Sequence, residues 1–134
     1  MIQNKIVVHY QDGKILKGFT SDFMPTKNIL HLAPVDAEPN SKPLSVMIQN
    51  LKAVFFVKDF VGNPAYHEKK EFEPSKTLVG RKIRVVFKDN EVLVGTTQGY
   101  QPGRPGFFVF PLDPQSNNDR CYVVSPCTKT VTFM

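Results

Sequence analysis

The sequence predicts an all-β fold, built as two five-stranded small barrels in tandem. Three observations lead there. The segment beginning at Lys5 recurs from Lys82 at a constant offset of 77 residues, and the alignment runs without a gap to Val57 against Met134. Within each copy apolar residues alternate at period two, the spacing of a strand with one buried face. Turn and breaker residues cut each copy into runs of strand length. Fifteen of the 53 aligned positions are identical: Lys5, Ile6, Val8, Asp12, Leu16, Gly18, Thr20, Pro25, Pro34, Asp36, Asn40, Val46, Lys52, Val54 and Phe56. Unrelated chains would share about 3 at average residue usage.

Each element follows from the same reading. Ile6, Val8 and Tyr10 share one face of a first strand, as Ile83, Val85 and Phe87 do in the second copy. Asp12-Gly13 and Asp89-Asn90 predict two-residue hairpins, because these residues accept left-handed backbone. Second strands follow over 14–23 and 91–100, with Gly18 and Gly95 marking an interior bend. Third strands span Ile29–Ala33 and Gly106–Phe110 and stop at Pro34 and Pro111, which have no N–H to donate. Fourth strands are placed at Leu44–Ile48 and Cys121–Ser125. After short turns, fifth strands are placed at Lys52–Val57 and Lys129–Met134. The identical apolar positions, Ile6, Val8, Leu16, Val46, Val54 and Phe56 with their counterparts Ile83, Val85, Leu93, Val123, Val131 and Phe133, are the expected core. The domain reading is 1–57 for copy one, 58–81 for an ordered connector and 82–134 for copy two. Pro64 and Pro74 bracket a charged stretch in the connector, with a short helical turn expected around 65–71.

Composition narrows the function. The 134 residues are 41% hydrophobic and 22% charged, as in a globular chain. The net charge of +5 is spread evenly: +2 over 1–57, +1 over 58–81 and +2 over 82–134. No basic arm concentrates it, as a nucleic-acid footprint would. No apolar run approaches the roughly 20 residues of a membrane span, so no membrane insertion is expected. Met1 to Lys5 carry no signal-peptide pattern, which points to the cytoplasm and to thiols at Cys121 and Cys127. His9, His31 and His67 are scattered, and no metal site or cofactor is expected. No nucleophile elbow, phosphate loop or zinc signature occurs, so the chain reads as a non-enzyme. Asp12 and Asp89 repeat, but hairpin turns use Asp for backbone reasons.

Five short strands in this order, with a bent second strand and a tight turn before the last, resemble the Sm-like variant of the SH3-like barrel. Val7–Gly18 resembles the Sm opening of strand, Asp-Gly turn and strand; Leu44–Val57 resembles its closing pair. The stretches Lys52–Phe60 and Gly106–Pro111 are also similar to an uncharacterised bacterial family of paired domains of this kind, some adjacent to PilZ cyclic-di-GMP receptors. That resemblance implies a regulatory setting in bacteria. The PilZ ligand itself is excluded, since neither Arg-x-x-x-Arg nor Asp-x-Ser-x-x-Gly is present.

The Sm resemblance also implies a candidate single-stranded RNA site. Sm-like modules stack a base near the strand 2–3 loop, use an Asn there, and add a basic residue with glycine from the strand 4–5 turn. Asp22, Phe23, Met24 and Asn28 resemble the first part, and the details depart from it. Asn28 is replaced by Pro105 in copy two, and Gln49-Asn50 and Pro126-Cys127 stand where Arg-Gly would. Phe23 and Tyr100 are the candidate stacking rings, with Lys27 and Arg104 beside them. The plainer alternative is that both rings close the barrel ends.

Protein contact is the favoured reading, an adaptor role, with RNA binding second. Val7, Phe19, Phe55 and Val57 in copy one, and Val86, Phe108 and Phe110 in copy two, lie opposite the expected core face. Left exposed they would form patches that monomers avoid. Either the two copies bury them against each other, or another chain does, as a homodimer or a protein partner.

Overall fold

A computed structural model describes residues 3–38, 41–60, 80–101, 103–112 and 117–133. Ten strands account for its regular structure: β1 (Asn4–Tyr10), β2 (Ile15–Thr20), β3 (Ile29–Pro34), β4 (Leu44–Met47), β5 (Leu51–Val57), β6 (Arg81–Phe87), β7 (Val92–Thr97), β8 (Gly106–Pro111), β9 (Asn118–Val124) and β10 (Thr128–Phe133). One-turn 3-10 helices, Ile48–Asn50 and Ser125–Cys127, precede β5 and β10. The all-β expectation holds.

Local bonds recur at the 77-residue offset. Ile6 faces Gly18 and Val8 faces Leu16 across β1 and β2; Ile83 faces Gly95 and Val85 faces Leu93 across β6 and β7. The Ile48 N–H donates to the Asn28 carbonyl, and the Ser125 N–H to the Pro105 carbonyl. The predicted two-residue hairpins are three-residue loops. Tyr10 N–H donates to the Lys14 carbonyl and Gly13 N–H to the Tyr10 carbonyl, with Phe87, Glu91 and Asn90 repeating both bonds. Only the third loop residue is left-handed, Gly13 at φ 95° and Asn90 at φ 72°. A tight turn closed by a left-handed bulge residue twists with the strands it joins. Asp12 and Asp89 each accept the backbone N–H two residues on.

The second strands are shorter than predicted, because the chain leaves the sheet after Thr20 and Thr97. β2 meets β3 at only two positions, Gly18 opposite Pro34 and Phe19 opposite Ala33; β7 and β8 repeat this with Gly95 opposite Pro111. The rest of β3 pairs with β4, and of β8 with β9. Each half therefore bends sharply at its glycine.

The halves do not form separate sheets. Strands run β10-β6-β7-β8-β9-β5-β1-β2-β3-β4 in one ten-stranded antiparallel sheet. β5 of the first half pairs with β9 of the second, Ala53 facing Val123 and Phe55 facing Cys121. Two buried clusters lie along it. One gathers Ile6, Val8, Leu30, Leu32, Val46, Val54 and Phe56, and takes Tyr122 and Val124 from the second half. The other gathers Ile83, Val85, Phe87, Leu93, Val109, Cys121 and Val123, and takes Ala53 from the first.

Most predicted core residues are buried. Leu16, Val131 and Phe133 are the corrections, each only half-buried. For the last two the cause is position: β10 lies at the rim with β6 alone beside it, whereas β5 lies between β1 and β9. The expected helical turn around 65–71 lies outside the described residues.

Candidate functional site

Along β1, β2 and β5 the even-numbered residues Ile6, Val8, Leu16, Val54 and Phe56 point toward the first cluster. Period two turns Val7, His9, Ile15, Lys17, Phe55 and Val57 to the other face. These line a groove of about 380 Å³ with Val7, Phe55 and Val57 as its apolar floor, and Glu91, Val92 and Leu93 of the second half supply its far wall. The alternation that singled out Val7, Phe55 and Val57 thus found a concave surface at the junction. Phe19, from the same expected face, packs edge-on against Phe60 with centroids 5.2 Å apart. Lys17 Nζ donates to the Phe60 carbonyl at 3.1 Å, and Asn117 exchanges hydrogen bonds with the Asp59 backbone at 2.8 and 3.0 Å. The chain leaving β5 is thereby fixed at the groove's end.

Charge at the junction is paired. Lys52, 6% exposed, donates to Asp89 and Glu91 at 2.8 Å each, and its ammonium lies 4.7 Å from the Phe87 ring centre. Burial works against the Lys52 charge, but the bonds to Asp89 and Glu91 outweigh it and its pKa rises. The Lys52 bond holds the Asp89 carboxyl below its ordinary range. His9 stands edge-on to Phe55, centroids 4.7 Å apart. Burial, with Lys52 close by, lowers its pKa below 6.5, so the ring is neutral at pH 7. An apolar floor with His9, Lys17, Glu91 and Asn117 at the rim can seat an apolar side chain and hydrogen-bond the backbone that carries it. Sequence reasoning missed His9, Ile15, Lys17 and Glu91, although the odd-numbered alternation of β1 and β2 included the first three.

The other expected interface residues divide. Phe108 is half-buried at the junction, its ring 5.9 Å from Phe23, 5.2 Å from Tyr122 and 6.1 Å from Phe56. It is covered by the first half, the mutual burial that the sequence allowed. Phe110 remains 37% exposed, and Val86 is half-buried on β6.

The candidate RNA residues are also split. Phe23 packs edge-on to Phe56 and Tyr122, and Tyr100 to Phe107 and Phe133. Both rings are engaged in packing. Lys27 and Asn28 are exposed and line two hollows, one with Asp22, His31 and Ser45, the other with Pro105, Tyr122 and Pro126. Arg104 is exposed on the facing loop. Asp22 accepts from the His31 backbone at 2.9 Å and from Thr20 at 3.0 Å, and its Oδ2 lies 2.6 Å from His31 Nδ1. These bonds outweigh burial and lower its pKa. Cys121 and Cys127 are buried thiols. Among the described residues no three His, Cys, Asp or Glu gather as a metal site, and no helix is long and apolar enough to cross a membrane.

The model of one family, the Family of unknown function (DUF6982), matches residues 2–134. The chain belongs to DUF6982. No curated protein and no solved structure matches it.

For this DUF6982 member the groove's histidine makes a pH prediction. His9 has a lower pKa folded than unfolded, so the unfolded chain takes up the proton first. The stability it contributes is complete above pH 6.5 and declines as the pH falls through the interval down to its folded value. Asp22 and Asp89, also lowered, lose theirs only below 3.8. Urea unfolding from pH 7.5 to 5 should show a falling midpoint in wild type. His9→Gln should flatten that decline and leave the later acid limb unchanged. An equally steep wild-type and His9→Gln profile would place the titration elsewhere.

Proposed function

We propose that this protein is a non-catalytic binding module, an adaptor in bacterial regulation, whose two halves are Sm-like barrels fused edge to edge. The junction groove is its docking surface for a protein segment. The observation that carries the reading is an exposed apolar side chain, Ile15, on the rim of a groove with an apolar floor. Ile15 is 51% exposed beside half-buried Val7 and Phe55, with hydrogen-bonding groups around them. A patch of that make-up at the meeting of two structural units suits a partner's side chain. The duplicate registers, the repeated turn bonds and the strand order within each half support the Sm-like assignment.

Ile15→Glu places a charge on the rim without disturbing either buried cluster. Wild type and this variant serve as baits in the native host, with a photo-crosslinking residue at position 17 locating the contact. A protein crosslinked by wild type and lost with Ile15→Glu is the expected result. Capture indifferent to Ile15→Glu would remove the groove from the function.

RNA binding is the second reading, favoured by the exposed Lys27 and Arg104 on facing loops of the two halves. It demands affinity that falls steeply with salt, and a shallower salt slope in Lys27→Ala and Arg104→Ala. Oligonucleotides that do not bind at low salt would end it.

A further inference from the structure

The repeat offers a comparison within one molecule. In the second half the Thr97 hydroxyl donates to the Phe108 carbonyl at 2.7 Å and ties the end of β7 to β8. Its counterpart in the first half, Thr20, donates instead to Asp22, which also accepts the backbone N–H of His31, the counterpart of Phe108. Gly99 stands at the position of Asp22. The fold thus makes this tie without a carboxylate or an imidazole, yet the first half carries both.

The pair has a defined chemistry. Asp22 Oδ1 is taken by Thr20 and the His31 backbone, and Oδ2 lies 2.6 Å from His31 Nδ1. An ionised carboxylate only accepts, so Nδ1 carries the ring hydrogen and, in the neutral ring, Nε2 carries the lone pair. Among the described residues nothing hydrogen-bonds Nε2, and the His31 side chain is 53% exposed. It lines a hollow of about 470 Å³ together with Thr26, Lys27, Asn28 and Ser45. Ser45 is its cross-strand neighbour on β4. The Lys27 ammonium has no ion-pair partner among the described residues. A nucleophilic nitrogen, a cation and hydroxyl and amide donors in one hollow suit a doubly charged anionic group.

We propose that His31 Nε2 is a phosphoryl acceptor, charged by a donor that carries its phosphoryl group on nitrogen, such as the phosphohistidine of a partner. The Nε2 lone pair forms the new N–P bond while the donor's P–N bond breaks. The donor nitrogen leaves with that electron pair as a neutral imidazole or amine. Nδ1 keeps its hydrogen, the positive charge gained by the ring is met by the Asp22 carboxylate, and Lys27 offsets the charge of the phosphoryl oxygens. This chain is the substrate of the transfer, so the site adds regulation to a binding module without making it an enzyme.

Phosphoramidate is the probe, applied to the full chain. Intact mass and peptide mapping should show one phosphoryl group, on His31, lost in acid and kept in alkali. It should enter about tenfold faster than in the same chain unfolded in urea. His31→Gln should take up none. Asp22→Asn separates positioning from folding. Its amide oxygen can still accept from Thr20 and the His31 backbone, while its N–H donates to Nδ1 and drives the ring hydrogen to Nε2. Labelling should slow about a hundredfold, as the wrong tautomer requires. The circular dichroism spectrum should stay unchanged, and nitrogen-15 spectra of the ring should show the exchange of tautomers. The proposal falls if folded wild type labels at His31 no faster than the unfolded chain, if His9 or His67 takes the group in preference, or if Asp22→Asn labels as fast as wild type.

Discussion

Phe56→Ala is expected to destabilise the protein by about 3–5 kcal/mol, the usual cost of deleting a fully packed phenylalanine. Phe56 is 4% exposed on the central strand β5. Its ring meets Phe23 at 5.3 Å, and the Arg120 guanidinium lies 4.4 Å from its centre. Truncation removes apolar burial and opens a void where two halves converge, so neither half can collapse into it alone. The repeat supplies an internal control. Phe133 occupies the equivalent position in the second copy but lies half-buried on the rim strand β10, against Tyr100 at 5.0 Å and under Arg81. Phe133→Ala should cost well under half as much. Urea melts of both variants decide the point through their midpoints, provided the slopes stay equal. Equal losses would mean that β10 is covered in solution as β5 is.

That pair also shows what the sequence made legible and what it did not. Local structure was readable because it depends on neighbours in the chain: alternation set the strands, Asp12-Gly13 and Asp89-Asn90 set the turns, and Gly18 and Gly95 set the bends. The loop length was misjudged by one residue. A left-handed residue is needed only at the third loop position, and the dipeptide alone does not distinguish the two turn geometries. The joining of the halves was harder, since identical positions acquire different burial through long-range pairing. Its signal was nevertheless present in the differences between copies. Ala53-Val54-Phe55-Phe56-Val57 is apolar throughout, as in a strand covered on both faces, whereas Thr130-Val131-Thr132-Phe133-Met134 alternates. Cys121-Tyr122-Val123-Val124 is likewise richer than Leu44-Ser45-Val46-Met47. The identities located the repeat, and the departures marked β5 and β9 as the strands that meet. The groove was half legible for the same reason. Val7, Phe55 and Val57 follow from alternation within one copy, but Glu91 and Leu93 reach it only through the sheet that joins both.

Gly95→Ala is the second large effect expected, by crowding instead of loss. At Gly95 the strands β7 and β8 cross so closely that an added Cβ would run into the Phe110 carbonyl oxygen and lie 2.8 Å from Val109 Cγ1. Gly18 repeats the arrangement with the Ala33 carbonyl and Leu32 Cδ2, also at 2.8 Å. In both cases the obstacle is backbone, which cannot swing aside as a flexible side chain would. Relief requires parting β7 from β8 at one of the only two positions where they pair. Overpacking a well-filled site usually costs about 1–3 kcal/mol, and a clash with a backbone oxygen at a two-position contact belongs at the top of that range or beyond. Gly13→Ala is the matched comparison. Nothing lies within 4 Å of its added Cβ, and only its φ of +95° opposes the change, so it should lose no more than about 1–2 kcal/mol, the cost of left-handed backbone for an L residue. If both glycines mark one bend in a duplicated half, Gly18→Ala and Gly95→Ala should lower the melting temperature by similar amounts, both more than Gly13→Ala. Amide exchange should then locate the loss at the β2–β3 or β7–β8 crossing. A Gly95→Ala variant as stable as wild type would show that these strands stand farther apart, and the sharp bend in each half would have to be abandoned.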